Sequence, residues 1–501
     1  LLDKYAIKYY EALAKEVDIV GSNKHEYFNV LRLDKDTTLI KVYKIDKKGR
    51  QDKLIYERRF ITSETKEIRL YGLEGNDVFE ISGHVPKGPK IRVIGGYDDD
   101  KYTDSSTVGS LGKTWLIYDN HSNTEINSGK ETKNKTSKRA DVNDYNREAF
   151  KYNYLGPIVA IKFNQDDGLF LGAGISYKVQ GFRKEPFKSS HKFGLTNAIA
   201  TSSYSFGYEG EYTDVFGKAD FFIRAELRSP NYVTNYFGLG NESVFNQDLG
   251  IDYYRVRYEE FLLDAHIKFN AGDNFAFTIG SNSQLIEVES TAERFITNFA
   301  ENGLDSTTVF NKKSWTGITS TLDIDTRDRD ILTERGLRWL TTFGYSAGTS
   351  GGAESYGNFT TDITFFYSFK LPSRVTLSNR TGFAQVFGRP EFYQLNYLGG
   401  HEQLRGFRKY RFAGERMWYN NTDLNIKLMN IRAFFLPTQI GVKGFYDFGR
   451  VDVENDPSTK VQQAFGGGIW VSPARVMYLS MLFGFSEEGM FPSFEFGFGL
   501  N

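Results

Sequence analysis

The sequence contains no cysteine, and this absence excludes disulfide bonds, thiolate metal ligands and cysteine nucleophiles together. An excess of charge of one sign is also lacking, because 62 basic and 63 acidic residues leave a formal net charge of −1. Such a chain has no global field to attract nucleic acid, so we predict no nucleic-acid partner. The six histidines are scattered without metal-ligand spacing, and we predict neither a metal nor a cofactor.

Long hydrophobic runs are missing too. No apolar run approaches the roughly 18 to 20 residues that a membrane-spanning helix needs, and the mean hydropathy is −0.45. The chain is nevertheless rich in aromatic residues (16%) and contains 49 glycines. A membrane β-barrel produces this combination because only alternate residues face lipid, which hides the hydrophobicity from a running average. A soluble sandwich or a large soluble barrel is the alternative that this composition leaves open.

Three regions follow one another along the chain. Residues 1–119 begin with apolar residues at helical spacing, up to about residue 16, and continue as short strands between polar turns. This pattern predicts a small β-rich domain with an N-terminal helix. Residues 120–152 are polar and predict a linker or a solvated segment, and residues 153–501 predict a barrel. The chain opens without an initiator methionine or a signal-peptide pattern, so we expect an upstream part to be missing.

The third region alternates apolar and polar residues with a period of two, as in 203–212, 219–228 and 359–369. Its polar face carries glutamate and arginine, which suits a hydrated lumen better than a small closed core. We count about sixteen strands, an even number as in bacterial barrels. Tight turns alternate with long loops that cover about 229–251, 289–313 and 387–415. The predicted fold class is all-β: a 16-stranded antiparallel transmembrane β-barrel.

The last of these long loops contains a short motif, hereafter the loop motif: Leu404, Arg405, Gly406 and Phe407. Strand alternation predicts that Asp447 and Asp423, on two neighbouring strands, point into the lumen with this loop. An arginine can pair with a carboxylate through two hydrogen bonds, so we predict Asp447 as the first partner of Arg405 and Asp423 as the second. An arginine that only braces the loop, without a role in transport, is the alternative.

Residues 154–501 resemble the BamA/TamA-like outer-membrane assembly barrels, the superfamily also called bacterial surface antigens. The loop motif follows the eleventh predicted strand, and 445–449 is similar to the Phe-x-Asp-x-Gly motif of the thirteenth strand, with Phe445, Asp447 and Gly449. Residues 323–336 resemble the motif after the eighth strand, in which we single out Asp325, Arg327, Asp328 and Gly336. Residues 236–242 are similar to a segment of the versions from the Bacteroidota.

The resemblance implies an outer-membrane protein, with residues 1–119 in the periplasm, that assists insertion or translocation of client polypeptides. Implied partners are outer-membrane lipid, an unfolded or partly folded client polypeptide, and accessory outer-membrane or periplasmic subunits. An openable seam would join the first and last strands, with these residues: Ile158, Ile161, Phe494, Phe496 and Phe498. The N-terminal region lacks the strand-helix-helix-strand-strand order of POTRA repeats. This departure weakens the carry-over of an insertase role.

Two other functions remain as alternatives. Residues 68–77 and 91–96 are similar to a segment before the barrel in Bacteroidota proteins that carry a metallophosphoesterase upstream. The barrel would then be an anchor or secretion platform for an upstream enzymatic domain, and a loop-plugged passive pore is the third hypothesis. The chain itself is predicted to be no enzyme, because the Gly-x-Ser-x-Gly pattern at 344–348 lies on a strand. The Gly- and Asp-rich stretches 72–77 and 95–100 fit plain turns better than calcium sites.

Overall fold

The computed structural model describes residues 2–109, 111–120, 124–164, 168–432, 436–454 and 456–498. The chain divides into two compact units, Leu1–Lys151 and Tyr152–Asn501. Across the described residues, no helix has both the length and the apolar character required to cross a membrane.

The first unit is a helix followed by short strands, which confirms the predicted N-terminal helix and β-rich domain. Its elements are α1 (Leu2–Ala14), β1 (Glu16–Val20), β2 (Glu26–Arg32), β3 (Thr37–Ile45), β4 (Gln51–Ile61), β5 (Glu67–Leu73), β6 (Val78–Val85), β7 (Lys90–Gly96), β8 (Lys101–Val108), β9 (Trp115–Tyr118), β10 (Glu125–Asn127), β11 (Thr132–Asn134) and α2 (Ala140–Asn143). Strands β10 and β11 fall within 120–152, the segment predicted to be a linker or a solvated segment, and they pair with β8 and β9.

The strands of this unit form two sheets, β1-β5-β7-β9-β11 and β10-β8-β6-β2-β3-β4. Apart from the β2–β3–β4 meander, the neighbours are parallel, and the chain passes from one sheet to the other and back. It therefore winds as a stack of coils. The core between the sheets holds an aromatic column, in which Phe28, Phe79 and Tyr102 stack with ring centroids 4.6 and 5.2 Å apart. All three side chains are fully buried.

A glycine and an acid recur where each coil crosses from the first sheet to the second. A Cβ on Gly72 would lie 2.3 Å from Asp77 Oδ2, and one on Gly95 would lie 2.0 Å from Asp100 Oδ2. The absence of a side chain at these glycines thus makes room for the two carboxyl groups. Each carboxyl group accepts a hydrogen bond from a backbone N–H of the neighbouring coil: Asp77 from Glu26 at 2.7 Å and Asp100 from Asp77 at 2.8 Å. The acids therefore tie one coil to the next.

The second unit is a single antiparallel sheet of 16 strands, which confirms the predicted fold class. In order these are β12 (Tyr154–Asn164), β13 (Gly168–Val179), β14 (Ser189–Ala198), β15 (Ser203–Phe216), β16 (Ala219–Asn235), β17 (Arg255–Asn270), β18 (Phe275–Val288), β19 (Lys313–Asp325), β20 (Gly336–Ser350), β21 (Tyr356–Leu371), β22 (Ser373–Gly388), β25 (Arg416–Ile431), β26 (Thr438–Asp452), β27 (Gln462–Pro473), β28 (Met477–Ser486) and β29 (Gly489–Phe498). α3 (Gly250–Tyr254), β23 (Asn396–Leu398) and β24 (Phe412–Gly414) lie in loops between them.

The two faces of this sheet differ in polarity because side chains alternate along each strand. On β13, for example, Leu169, Leu171, Ile175 and Tyr177 are exposed on the outer face. Connections of a few residues, such as those after β17, β21 and β27, lie at one rim. The loops that follow β16, β18 and β22 lie at the other rim and are much longer. This asymmetry is typical of membrane barrels.

Candidate functional site

The candidate site is built by the loop between β22 and β25, residues 389–415, which we call the inward loop. Its base is a small hairpin in which β23 pairs with β24. Phe392 and Ala413 of this loop join an aromatic cluster formed with the loops after β16 and β18. The tip of the inward loop lies against the inner faces of β25 to β28, where the loop motif meets the wall.

Arg405 is held on the wall mainly by Asp447 of β26. Its backbone N–H donates to Asp447 Oδ2 at 3.0 Å, its Nε donates to the same oxygen at 2.8 Å, and its Nη2 donates to Oδ1 at 2.6 Å. The Arg405 side chain is 4% exposed and that of Asp447 is 0% exposed. A bidentate pair with so little water contact fixes both the position and the orientation of the guanidinium.

The same guanidinium contacts two further wall residues. Nη2 also donates to Asp423 Oδ1 on β25 at 2.6 Å. The guanidinium carbon lies 3.9 Å from the ring centroid of Phe445, a cation–π contact on the strand that carries Asp447. The structure thus brings together the loop arginine, both carboxylates predicted as its partners, and Phe445.

The other members of the loop motif shape the backbone and seal the contact. Gly406 has φ of +97°, a region in which only glycine is free of strain. A Cβ there would lie 3.1 Å from Ala464 Cβ, so the loop also approaches the wall too closely for a larger residue. Leu404 and Phe407 are buried in one apolar cluster, where Phe407 meets Phe412 edge to face at 5.4 Å. On the wall, Gly449 allows β26 to approach β25 closely at Tyr419.

Two charged residues of the site were not predicted as partners. Lys443 of β26 donates to Glu495 of β29 at 3.0 and 3.2 Å and lies 3.1 Å from Asp423. Glu495 Oε1 is also 3.8 Å from Arg405 Nη1. These five groups, which we call the ion cluster, are Arg405, Asp423, Lys443, Asp447 and Glu495. Lys443 lies on the same face of β26 as Asp447, but nothing in the local sequence indicated that the last strand reaches the cluster.

The strand–turn motif forms a local brace at the rim with short turns. Arg327 donates to both oxygens of Asp325, at 2.6 to 3.1 Å. Asp328 Oδ1 accepts the backbone N–H groups of Glu334 and Arg335. Gly336 has φ of +117°, and a Cβ there would lie 2.4 Å from the Thr326 carbonyl oxygen. These four residues shape one turn and do not contact the loop motif in the described part of the chain.

The seam lies between β12 and β29. Each pairs on one side only, with β13 and β28 respectively, and no hydrogen-bonded ladder joins them over the described residues. Ile158 pairs with Gly174, and Phe494 pairs with Met481. For Ile161, Phe496 and Phe498 the structure describes the backbone only, and these predicted seam side chains lie outside it. Strand β29 begins at Gly489, so the seam residues predicted on it lie in its second half.

The Gly-x-Ser-x-Gly pattern and the Gly- and Asp-rich stretches belong to the structural framework. Ser346 lies inside β20, and no helix follows it, as a nucleophile elbow would require. Asp77 and Asp100 point at backbone N–H groups of the stacked coils. No group of three or more histidine or acidic residues placed to hold a metal ion occurs among the described residues.

A sixteen-stranded antiparallel barrel with an inward loop held by a buried arginine defines a class of outer-membrane protein. Residues 170–500 match the Omp85 superfamily domain, and the chain belongs to this superfamily. The match confirms the predicted resemblance to BamA/TamA-like barrels. Barrels of this superfamily sit in the bacterial outer membrane and act in protein insertion or translocation.

One solved structure supports the fold, and two others are more distantly similar. BamA from Haemophilus ducreyi lacking POTRA domains 1–3 has 13% identity and a TM-score of 0.50, over 69% of this chain and 70% of that one. CdiB from Escherichia coli has 10% identity and a TM-score of 0.47, over 74% and 66% of the two chains. CdiB from Acinetobacter baumannii has 13% identity and a TM-score of 0.43, over 70% and 60%. No curated protein matches the chain.

Proposed function

We propose that this barrel assists the insertion or translocation of client polypeptides at the outer membrane, and that a client gains access through the seam between β12 and β29. The observation that carries the proposal is the missing ladder between these two strands over the described residues. A closed barrel satisfies every backbone group by pairing, so an unpaired edge in a membrane is available to an incoming strand. A client strand can add to such an edge through main-chain hydrogen bonds.

The inward loop favours the hypothesis of a gated barrel and argues against that of an open pore. It reaches the wall inside the barrel and is anchored there by the buried Arg405–Asp447 pair. A lumen occupied in this way restricts passive flow, and a client would pass by the seam or after the loop has moved. The platform and passive-pore hypotheses both predict that the seam has no part in function.

We further place residues 1–151 in the periplasm. Because the number of strands is even, β12 begins and β29 ends at the same rim, the one with the short turns. Short turns face the periplasm in barrels of the outer membrane. The chain therefore enters β12 at the periplasmic rim, which supports a periplasmic position for the residues before it.

Disulfide cross-linking of the seam tests the proposal. The chain has no native cysteine, so a panel of cysteine pairs between β12 and β29 reports only on the seam. We expect a cross-linked pair to abolish client assembly or export in cells depleted of the native protein, and reduction to restore it. A matched control places cysteines at Ile175 and Phe193, which already face each other across the β13–β14 ladder. Full activity with the seam cross-linked would exclude the proposal and favour the platform or the pore.

A further inference from the structure

The last strand of the barrel lies at the seam, yet it is tied to the interior. Strand β29 has a hydrogen-bonded ladder only with β28 in the described part of the sheet. Single-sided strands fray easily, because half of their backbone groups lack a partner in the sheet. Some other contact must hold β29 in place when the seam is unpaired.

The ion cluster supplies that contact. Glu495, in the middle of β29, accepts from Lys443 Nζ at 3.0 and 3.2 Å and from Ser480 Oγ at 3.0 Å. Lys443 is 8% exposed and Glu495 is 22% exposed, so water screens this pair only in part. Lys443 also binds Asp423, which Arg405 contacts, and Arg405 Nη1 lies 3.8 Å from Glu495 itself. The cluster contains two cations and three carboxylates, so the charge of Glu495 is balanced inside the barrel by Lys443 and Arg405.

The inward loop also forms hydrogen bonds with the β28–β29 hairpin. The Gly406 carbonyl oxygen accepts from Ser486 Oγ at 2.5 Å, at the end of β28. Arg411, which is 3% exposed, donates through Nε to Glu488 Oε1 at 2.5 Å in the turn between β28 and β29. The loop packs so closely on β28 that a Cβ on Gly484 would lie 2.6 Å from the Gly406 nitrogen.

We propose that the inward loop is a latch on the closing strand, with Glu495 as the positioning residue that couples the loop motif to β29. When Arg405 leaves the wall, Glu495 loses a neighbouring cation and the β28–β29 turn loses its contacts with Gly406 and Arg411. Movement of the loop and release of β29 are then one event. This inference deepens the proposed function, on which it rests for the use of a released β29.

Hydrogen–deuterium exchange of the full chain in lipid nanodiscs tests the latch without any client. We expect Glu495→Gln to speed amide exchange in 489–498 by about tenfold or more, since it removes a charge-assisted contact, while β16 keeps its wild-type rate. Arg405→Ala should speed the same segment, and Glu495→Asp, which keeps the charge, should lie between Glu495→Gln and the wild type. The matched control is Glu226→Gln on β16, a 14% exposed carboxylate bound by Arg224 and Arg228.

The outcomes separate the latch from the proposed function. An unchanged rate in 489–498 for Glu495→Gln would overturn the latch, and so would an equal rise in every strand or a rise in 489–498 with Glu226→Gln. None of these results bears on whether a client uses the seam, which the cross-linking experiment measures by itself. Faster exchange confined to β29 supports the latch even if locking the seam leaves export intact.

Discussion

Deleting the Asp447 carboxylate should detach the inward loop, and its cost can be worked from the geometry. Arg405 donates three hydrogen bonds to Asp447, and both side chains are almost fully buried. Removing one partner of a buried pair costs about 3–5 kcal/mol, because the remaining charge stays desolvated and unpaired. Asp423 and Glu495 remain near the guanidinium and offset part of this loss. We therefore expect Asp447→Ala to destabilise the barrel by about 3 kcal/mol, at the low end of that range.

A double-mutant cycle isolates the pair from the other effects of each substitution. Urea unfolding of the chain in detergent micelles is measured for the wild type, Arg405→Ala, Asp447→Ala and the double variant. We expect a coupling free energy of about 2–3 kcal/mol, since contacting residues in one network couple by about 0.5–3 kcal/mol.

The control is an exposed arginine–carboxylate pair on the long-loop rim. Arg389 lies 3.0 Å from Glu354, but their side chains are 79% and 52% exposed. Solvent screening should limit their coupling to below about 1 kcal/mol. If the buried pair couples no more strongly than this exposed pair, burial does not decide the strength of the loop anchor, and the reasoning above is wrong.

Two further predictions concern single features. In the same unfolding assay, Gly406→Ala should destabilise the protein by about 1–3 kcal/mol more than Gly217→Ala. Both glycines have a positive φ, but only at Gly406 would the added methyl group meet a close neighbour. Equal losses of stability would exclude the packing contribution. Burial, followed for Asp77 by the nearby charge of Asp100, raises the pKa of Asp77 to about 9, and burial raises the pKa of Asp100 to about 8. Both groups bind their protons more tightly in the folded state, so their contribution to stability is full below the unfolded pKa near 4. It falls progressively as the pH rises above that value and is lost once the pH has risen through about 8 to 9. Trp115 fluorescence, in a variant without the other tryptophans, reports the urea midpoint of the first unit. This midpoint should fall as the pH rises from about 4 to about 9. The double substitution Asp77→Asn and Asp100→Asn should make the midpoint less dependent on pH.

The barrel is the part of the fold that the sequence predicts well. A strand with one lipid face and one water face must alternate residue by residue, so its count, its faces and its loop lengths can be predicted along the chain. The same alternation put Asp447 and Asp423 on the inner face, within reach of the loop that carries Arg405. The structure has these groups in hydrogen-bonding contact.

The stacked coils of the first unit could not be predicted with the same ease. Strands β5 and β7 are parallel neighbours in one sheet, although β6 of the other sheet lies between them in the sequence. Local alternation does not specify which strands pair in this way. One signal was present: Gly72 and Asp77 recur as Gly95 and Asp100, 23 residues later in each case (95 minus 72 and 100 minus 77). A repeat of this length is typical of stacked coils, whereas each copy alone resembles an ordinary turn.

Period-two alternation is a local property, so the barrel, its two rims and the charged groups that face the lumen can be predicted from the amino-acid sequence. The contacts of Lys443 with Asp423 and Glu495, and those of the inward loop with the last hairpin, follow only from the folded arrangement of the strands. Closing the sheet into a barrel brings Ser486, at the end of β28, into contact with Gly406 of the inward loop. The two residues are 80 positions apart in the chain. No local pattern encodes that meeting, since it depends on the curvature and register of all sixteen strands together.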